Sequence, residues 1–90
     1  MGFTAVQMKI MPNSPSANLQ AIEKKAEEII NSMHKTLVKI EEEPIAFGLK
    51  AIIISFAWND EIELEKLEAK LQTIDEVSSV ETLDIRKAFG

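Results

Sequence analysis

The 90 residues leave room for one folded domain, which we expect to occupy residues 1–90. The chain has no cysteine, which excludes disulfides and thiolate metal sites and suits a reducing cytoplasm. Its net charge of −5 disfavours binding to nucleic acid, because an acidic surface repels phosphates. Leu, Ile, Val and Phe together exceed the ~20% below which disorder is the usual outcome, so we expect the chain to fold.

The first half of the chain carries two strand patterns with a helix pattern between them. Apolar residues at every second position predict a half-buried strand over residues 3–11. After a proline-containing break, apolar residues at three- and four-residue steps predict an amphipathic helix over residues 17–34, capped by Ser16 or Asn18. A second alternating stretch predicts a strand over residues 37–42.

The second half carries a strand, a helix and a final strand. A nearly continuous apolar run predicts an interior strand over residues 49–58. Asn59 and Asp60 form a turn that can cap a helix over residues 61–73. The last strand is predicted over residues 77–85. Its inward face is ambiguous, because apolar side chains occur at both odd and even positions, which either a bulge or an early strand end explains.

The resulting order is strand, helix, strand, strand, helix, strand. It is typical of an α+β, ferredoxin-like βαββαβ sandwich, in which two helices cover one face of a four-stranded antiparallel sheet. Both helices have to lie on the same face, because their apolar stripes would otherwise stay in water. The fold alone assigns no function, since many unrelated functions share it.

Few residues of this chain are suited to bond chemistry. His34 is the only histidine, and we expect it to be a solvated residue at the end of the first helix. With one histidine and no cysteine, neither a catalytic triad nor a zinc site is expected. We therefore expect a protein that is not an enzyme, with no metal and no cofactor.

The loop after the second strand is the most informative segment. Pro44 ends strand pairing, and Gly48 permits a positive φ where the chain turns back. Ile45 and Phe47 place large apolar side chains at a hairpin tip, where polar residues are usual. Two interpretations are open: Phe47 folds back over the edge of the core, or its ring is an exposed anchor for a partner protein.

The sequence PIAFGLK at residues 44–50, preceded by KIEEE and followed by an isoleucine-rich strand, resembles the hallmark of the translation elongation factor 1-beta family, in particular its short archaeal form. The Met-Pro pair at residues 11–12 and the basic ending at residues 84–87 agree with it, so the resemblance spans about residues 3–87. It implies a ferredoxin-like guanine nucleotide exchange factor. Such a factor promotes GDP release and GTP loading on the elongation factor 1-alpha GTPase in the cytoplasm, without bond chemistry of its own.

The same resemblance assigns roles to individual residues. Lys87 matches a near-terminal lysine that enters the Mg²⁺ and phosphate region of the GTPase, and it would be the catalytic residue, with Arg86 able to share the role. The lysine of eukaryotic members is penultimate, whereas here Phe89 lies beyond it and would pack on the GTPase or back on this chain. Strand directions place the loop and Lys87 roughly 25–30 Å apart, at opposite ends. The expected partner-binding residues are Pro44, Ile45, Ala46, Phe47, Gly48 and Arg86.

We expect the chain to be monomeric when free and not to bind nucleic acid. We also expect no membrane span, because the longest apolar run, residues 51–57, is far shorter than the ~20 residues that a span needs. Two alternatives share the fold. An RNA-recognition module needs aromatic residues on the open sheet face, and we expect none there. The residues expected on that face are Ala5, Gln7, Lys9, Ala51, Ile53 and Ser55. A regulatory ligand-binding or dimerisation domain stays open, because Ala51 and Ile53 could support sheet-to-sheet pairing.

Overall fold

The computed structural model describes residues 3–88, so the packing of Phe89 lies outside the described residues. The elements follow in the predicted order. They are β1 (Phe3–Pro12), α1 (Leu19–Met33), β2 (Lys39–Pro44), β3 (Lys50–Asn59), α2 (Leu64–Gln72) and β4 (Val77–Ala88). This order and the antiparallel sheet confirm the α+β, ferredoxin-like βαββαβ fold class.

The four strands form one antiparallel sheet in the order β2-β3-β1-β4. β1 pairs with both β3 and β4, whereas β2 pairs with β3 and lies at an edge. The register places Phe3 opposite Asn59 at one end of the sheet and Pro44 opposite Lys50 at the other. These two ends define the long axis on which the predicted functional residues are distributed.

The hydrophobic core lies between one face of the sheet and the two helices. The side chains at even positions of β1 and β3 point into it, as the alternation predicted. Each large side chain that is fully buried there contributes about 1.5–3 kcal/mol relative to an exposed position. Both helices add residues to this same cluster, so both lie on one face of the sheet. The principal members are Val6, Met8, Ile10, Ile22, Ala26, Ile30, Ile52, Ile54, Phe56, Trp58, Leu67 and Leu71.

Within residues 3–88, both helices lie on one face of the sheet, and no helix covers the opposite face. Ala51 and Ile53 lie on it as predicted, yet they are only 0% and 8% exposed. Ile53 is on an inner strand, between Lys9 on β1 and Glu41 on β2. The aliphatic stems of such long charged side chains cover apolar neighbours while their charged ends stay in water. The face therefore presents charges around its apolar centre.

α1 begins two residues later than predicted, because Asn18 and not Ser16 is its cap. The Asn18 Oδ1 atom accepts a hydrogen bond from the Ala21 backbone N–H at 3.1 Å. The backbone N–H of Asn18 also donates to the Glu76 carboxylate at 2.8 Å. This second bond ties the start of α1 to the turn before β4, which fixes the helix over the sheet.

β2 is displaced by two residues from the predicted range of 37–42. Its pairing with β3 begins at Lys39, opposite Ser55, and continues to Pro44. Leu37 precedes the strand and is 91% exposed. Glu43 and Pro44, which follow the predicted range, are thus part of the strand.

α2 begins at Leu64, three residues after the predicted start at residue 61. Asn59 is not its cap, because its side-chain oxygen accepts the Glu61 N–H at 2.9 Å and closes a separate turn. Glu63 occupies the cap position and makes no side-chain capping bond. Asp60 is consequently left outside the helix and available for another role.

A β-bulge resolves the ambiguous face of β4. Gln7 pairs with Asp84 and Met8 pairs with Thr82, so Leu83 is the extra residue. The bulge was one of the two predicted explanations, and the strand continues to Ala88, beyond the predicted end at residue 85. Because of the extra residue, Ile85 and Lys87 lie on the same face of the sheet as Thr82.

Candidate functional site

The predicted partner-binding loop and Lys87 lie at opposite ends of the molecule, as expected. We call the loop between β2 and β3 the turn end, and the end that holds Lys87 the lysine end. Lys87 pairs with Thr4, which in turn pairs with Trp58 on β3. Lys50 at the turn end is about eight residues from Trp58 along β3, or ~27 Å at ~3.4 Å per residue. The molecule extends 42 Å along its longest axis.

At the turn end, two consecutive residues have left-handed backbone conformations. Phe47 has φ 58° and Gly48 has φ 77°. The Leu49 N–H closes the turn by donating to the Ala46 carbonyl at 3.0 Å. Positive φ at both central positions is the geometry of the tight turns that match the twist of a hairpin. Glycine adopts it freely, whereas for phenylalanine it costs about 1–2 kcal/mol.

The Phe47 side chain is 94% exposed, and Ile45 beside it is 41% exposed. Of the two interpretations of this loop, the one in which Phe47 folds back over the core is wrong. The ring loses the favourable burial that a phenylalanine usually has, while its backbone is strained. Neither feature stabilises the free chain. Both would be compensated if a partner covered the ring.

The turn end rests on the loop between β1 and α1. An added Cβ at Gly48 would lie 3.7 Å from the Pro15 Cβ, which is ordinary van der Waals contact. Space alone therefore does not require glycine at this position; the positive φ does. Pro15, in the loop between β1 and α1, thus lies near Gly48 of the turn.

At the lysine end, the two basic residues point to opposite faces of the sheet. Arg86 pairs with Ala5 on the open face, and its Nε donates to the Asp84 carboxylate at 2.9 Å. Lys87 pairs with Thr4 on the face that carries the helices. The backbone thus directs the two side chains to different faces, and a role for Arg86 beside Lys87 stays a prediction.

The Lys87 ammonium is held by a carboxylate from a distant part of the chain. Its Nζ lies 3.0 Å from the Asp60 Oδ2. The other oxygen of Asp60 accepts a hydrogen bond from the Thr4 hydroxyl. The hydrogen bond from Thr4, followed by that from Lys87, lowers the pKa of Asp60 below its usual value. The carboxylate therefore stays charged at neutral pH.

A shallow cleft of about 380 Å³ lies beside this ion pair. Its apolar wall includes Ile62, Leu64 and the half-exposed Ile85. Trp58 also lines the cleft, is 2% exposed, and donates its indole N–H to the Ile62 carbonyl at 3.0 Å. The cleft thus joins an apolar surface to the ammonium of Lys87.

His34 lies at the same end and differs from its predicted state. The ring was expected to be solvated, but it packs edge-on against Trp58, with centroids 5.8 Å apart, and against Phe3 at 5.8 Å. The backbone N–H of His34 also caps α1 by donating to the Ile30 carbonyl at 2.9 Å. The residue therefore closes the core under the lysine end.

A pair of carboxyl groups connects α1 to the edge strand β2. The pKa of Glu23 is raised from 4.5 to about 7, mainly by burial and then by hydrogen bonding and charge repulsion from Glu42. One Glu23 oxygen is buried without a hydrogen-bond partner. No spacing in the sequence pointed to this pair.

Two kinds of site are missing from the described part of the chain. Among residues 3–88, no group of three His, Cys, Asp or Glu side chains is placed to hold a metal ion. Over the same residues, no helix has both the length and the apolar character needed to cross a membrane. A surface groove of about 740 Å³ between α1 and the turn before β4 is lined by neither Phe47 nor Lys87.

Comparison with known proteins places the sequence among translation factors. Residues 5–88 match the profile of the EF-1 guanine nucleotide exchange domain. The elongation factor 1-beta of Methanothermobacter thermautotrophicus is 40% identical over 88 residues, covering 97% of this chain and 98% of that protein. The elongation factor 1-beta of Methanocaldococcus jannaschii is 35% identical, covering 98% and 100%. These matches confirm the resemblance indicated by residues 44–50, including its archaeal character.

A solved structure supports the fold independently. The ACT domain from the GTP pyrophosphokinase of Chlorobium tepidum superposes with a TM-score of 0.62, covering 92% of this chain and 100% of that domain. The two sequences are 19% identical, so the likeness concerns the fold alone.

Proposed function

The chain belongs to the elongation factor 1-beta family, and we propose that it promotes GDP release and GTP loading on an elongation factor 1-alpha GTPase during translation elongation. The family and its exchange domain imply guanine nucleotide exchange. The finer assignment to this GTPase is supported by the extended sheet, which presents the exposed Phe47 ring at one end and the exposed Lys87 ammonium at the other, with ~27 Å of β3 between the two ends.

In this proposal the turn end binds one domain of the GTPase. Phe47 inserts into an apolar pocket of the partner, flanked by Ile45, and Pro44, Ala46 and Gly48 give the turn its shape. Aromatic side chains that become buried on association are typical centres of binding energy. The turn is already formed in the free chain, so little conformational entropy is lost on binding.

Lys87 acts at the nucleotide-binding domain of the same GTPase. In GTPases, Mg²⁺ bridges the phosphates and neutralises much of their charge. A single ammonium entering that region supplies less charge and poorer coordination than Mg²⁺, so GDP is held less tightly. The chain makes and breaks no bond; it favours the conformation of the partner that has lost its nucleotide, by binding that conformation better.

The acidic surface and the charged open face complete the proposal. A row of Glu41, Lys9 and Glu81 crosses the open face around Ile53. Charges in this arrangement oppose sheet-to-sheet pairing, and we propose a monomer when free, working in the cytoplasm as one exchange domain over residues 1–90. Sedimentation analysis would give a mass of about 10 kDa for a monomer.

The direct test is the release of a fluorescent GDP analogue from the purified elongation factor 1-alpha of the same organism. With excess unlabelled GDP, added chain should accelerate the loss of fluorescence in proportion to its concentration before reaching a maximum. An unrelated GTPase loaded with the same analogue serves as the control. An unchanged release rate at saturating chain concentration would overturn the proposal.

A further inference from the structure

The Lys87 ammonium is more restrained than an exposed lysine at a strand end would be. The Lys87 side chain is 77% exposed, while that of its partner Asp60 is 26% exposed. Asp60 itself is fixed, because the Thr4 hydroxyl donates to its second oxygen. The three residues come from β1, the turn after β3, and β4, so the contact exists only in the folded chain.

We propose that Asp60, oriented by Thr4, is a positioning residue that holds the Lys87 ammonium in the place from which it acts on the partner. This inference rests on the proposed function, since it concerns how Lys87 is presented to the GTPase. Thr4 fixes the carboxylate, the carboxylate fixes the ammonium, and the ammonium acts on the partner.

The geometry leaves the ammonium usable while it is held. An ammonium has three N–H donors, and in this contact Asp60 accepts from one of them. The remaining donors are free for phosphate oxygens of the partner. A lysine side chain that is ordered before binding loses less rotational freedom when it engages, which raises the rate of the step it assists.

The other two ion pairs among residues 3–88 lack these features. Lys39–Glu41 and Arg86–Asp84 each join residues two apart on one strand, at 3.4 Å and 2.9 Å. Their acidic side chains are 62% and 46% exposed. Pairs of this kind form between any alternating charges on a strand face and add little order. The Asp60–Lys87 pair differs in its long sequence separation and in its anchored, shielded carboxylate.

The kinetic test compares Asp60→Asn with wild type in the GDP-release assay. An exposed ion pair of this class changes an equilibrium by up to about fivefold, so we expect the maximal release rate to fall about two- to fivefold. The chain concentration giving half of that maximum should not change, because the turn end supplies the affinity. Glu41→Gln, which removes the acid of the Lys39 pair with the same change of charge, should leave both parameters unaltered.

Two variants at Thr4 test the orienting role. Thr4→Val removes the hydroxyl and keeps the shape, so it should lower the maximal rate in the same direction as Asp60→Asn. Thr4→Ser keeps a hydroxyl and should restore the wild-type rate. Thermal unfolding of each variant, monitored by circular dichroism, confirms that the fold is intact. Equal rates for Val and Ser at this position, or a faster rate for Asp60→Asn, would overturn the positioning role.

A measurement on the free chain separates this inference from the proposed function. NMR titration of the Asp60 carboxyl should give a pKa below its usual value in wild type and a higher one in Lys87→Met, because the paired ammonium is gone. An unchanged Asp60 pKa in that variant would overturn the pairing. If Lys87→Ala slows release and Asp60→Asn does not, the positioning role fails and the proposed function stands. If neither slows release, the role of Lys87 fails as well.

Discussion

At the turn end, the exposed Phe47 and the adjacent Gly48 both have positive φ, whereas at the lysine end the exposed Lys87 ammonium is held by an anchored carboxylate. The turn end is apolar, and burial of the Phe47 ring by a partner would be favourable. The lysine end is charged and already ion-paired, and what matters there is the position of the Lys87 ammonium. If the proposed function holds, the turn end supplies affinity and the lysine end accelerates release, so variants at each end should change different kinetic constants.

The largest effect is expected for Phe47→Ala. Loss of a buried aromatic anchor should weaken binding to the GTPase by about 2 kcal/mol or more, roughly a thirtyfold rise in Kd. Isothermal titration calorimetry with the GTPase measures it. The stability of the free chain should not fall, because the ring is 94% exposed before binding.

Leu37 provides the matched control for this variant. Its side chain is 91% exposed but lies outside the turn, before β2. Leu37→Ala removes a comparable apolar surface and should leave Kd nearly unchanged. Equal losses of affinity for the two variants would mean that the turn end is not a specific anchor.

Lys87→Ala is expected to have the next largest effect, and on a different constant. The maximal rate of GDP release should fall about tenfold or more, which corresponds to at least ~1.4 kcal/mol of barrier. The affinity for the GTPase should change little. Arg86→Ala, which removes a neighbouring cation on the other face of the sheet, is the comparison that shows whether position or charge matters. A similar fall for both variants would favour charge alone.

Gly48→Ala tests the backbone of the turn end. A Cβ fits beside Pro15, so the expected cost comes from φ 77° and amounts to about 1 kcal/mol of folding stability. Urea unfolding measures it. Gly48→Asn should lose less, because asparagine tolerates left-handed conformations better than alanine does. Equal stability of all three chains would show that the turn relaxes without strain.

The smallest expected effect concerns the carboxyl pair that joins α1 to the strand leading to the turn end. Because the pKa of Glu23 in the folded chain is raised from 4.5 to about 7, folding favours its protonated form. That contribution is fully present below pH 4.5 and is lost as the pH rises to about 7. The free energy of unfolding should therefore fall by about 1 kcal/mol over this interval, after allowance for solvent screening.

Glu23→Gln removes this titration and should flatten the pH profile, with higher stability than wild type at pH 8. Glu27→Gln, at an exposed position of the same helix, should leave the profile unchanged. A wild-type profile that rises between pH 5 and pH 7 would contradict the raised pKa of Glu23.

Periodicity predicted the elements and the inward faces of β1 and β3, because alternation and helical spacing are local properties of the chain. Pro44 and Gly48 located the turn end, because proline ends strand pairing and glycine permits a positive φ. The exposure of Phe47 could not be predicted, since proline and glycine permit the ring to point toward the core or away from it. The structure of the turn decides between the two.

The face of the sheet on which Lys87 lies depends on the bulge in β4, which local sequence patterns do not determine. Without the bulge at Leu83, Arg86 and not Lys87 would share a face with Thr82. The sequence left the choice between a bulge and an early strand end open, so the face of Lys87 was undetermined. Asp60 was missed for a related reason: it was assigned to a helix cap, and its contact with Lys87 requires the register of three strands.

The most direct test of the account is the rate of GDP release from the GTPase, measured against chain concentration for wild type, Phe47→Ala and Lys87→Ala. Phe47→Ala should raise the half-saturating concentration and reach the wild-type maximum. Lys87→Ala should keep the wild-type half-saturating concentration and reach a lower maximum. If both variants changed the same constant, or if wild-type chain did not accelerate release, the assignment of affinity to the turn end and of accelerated release to the lysine end would be contradicted.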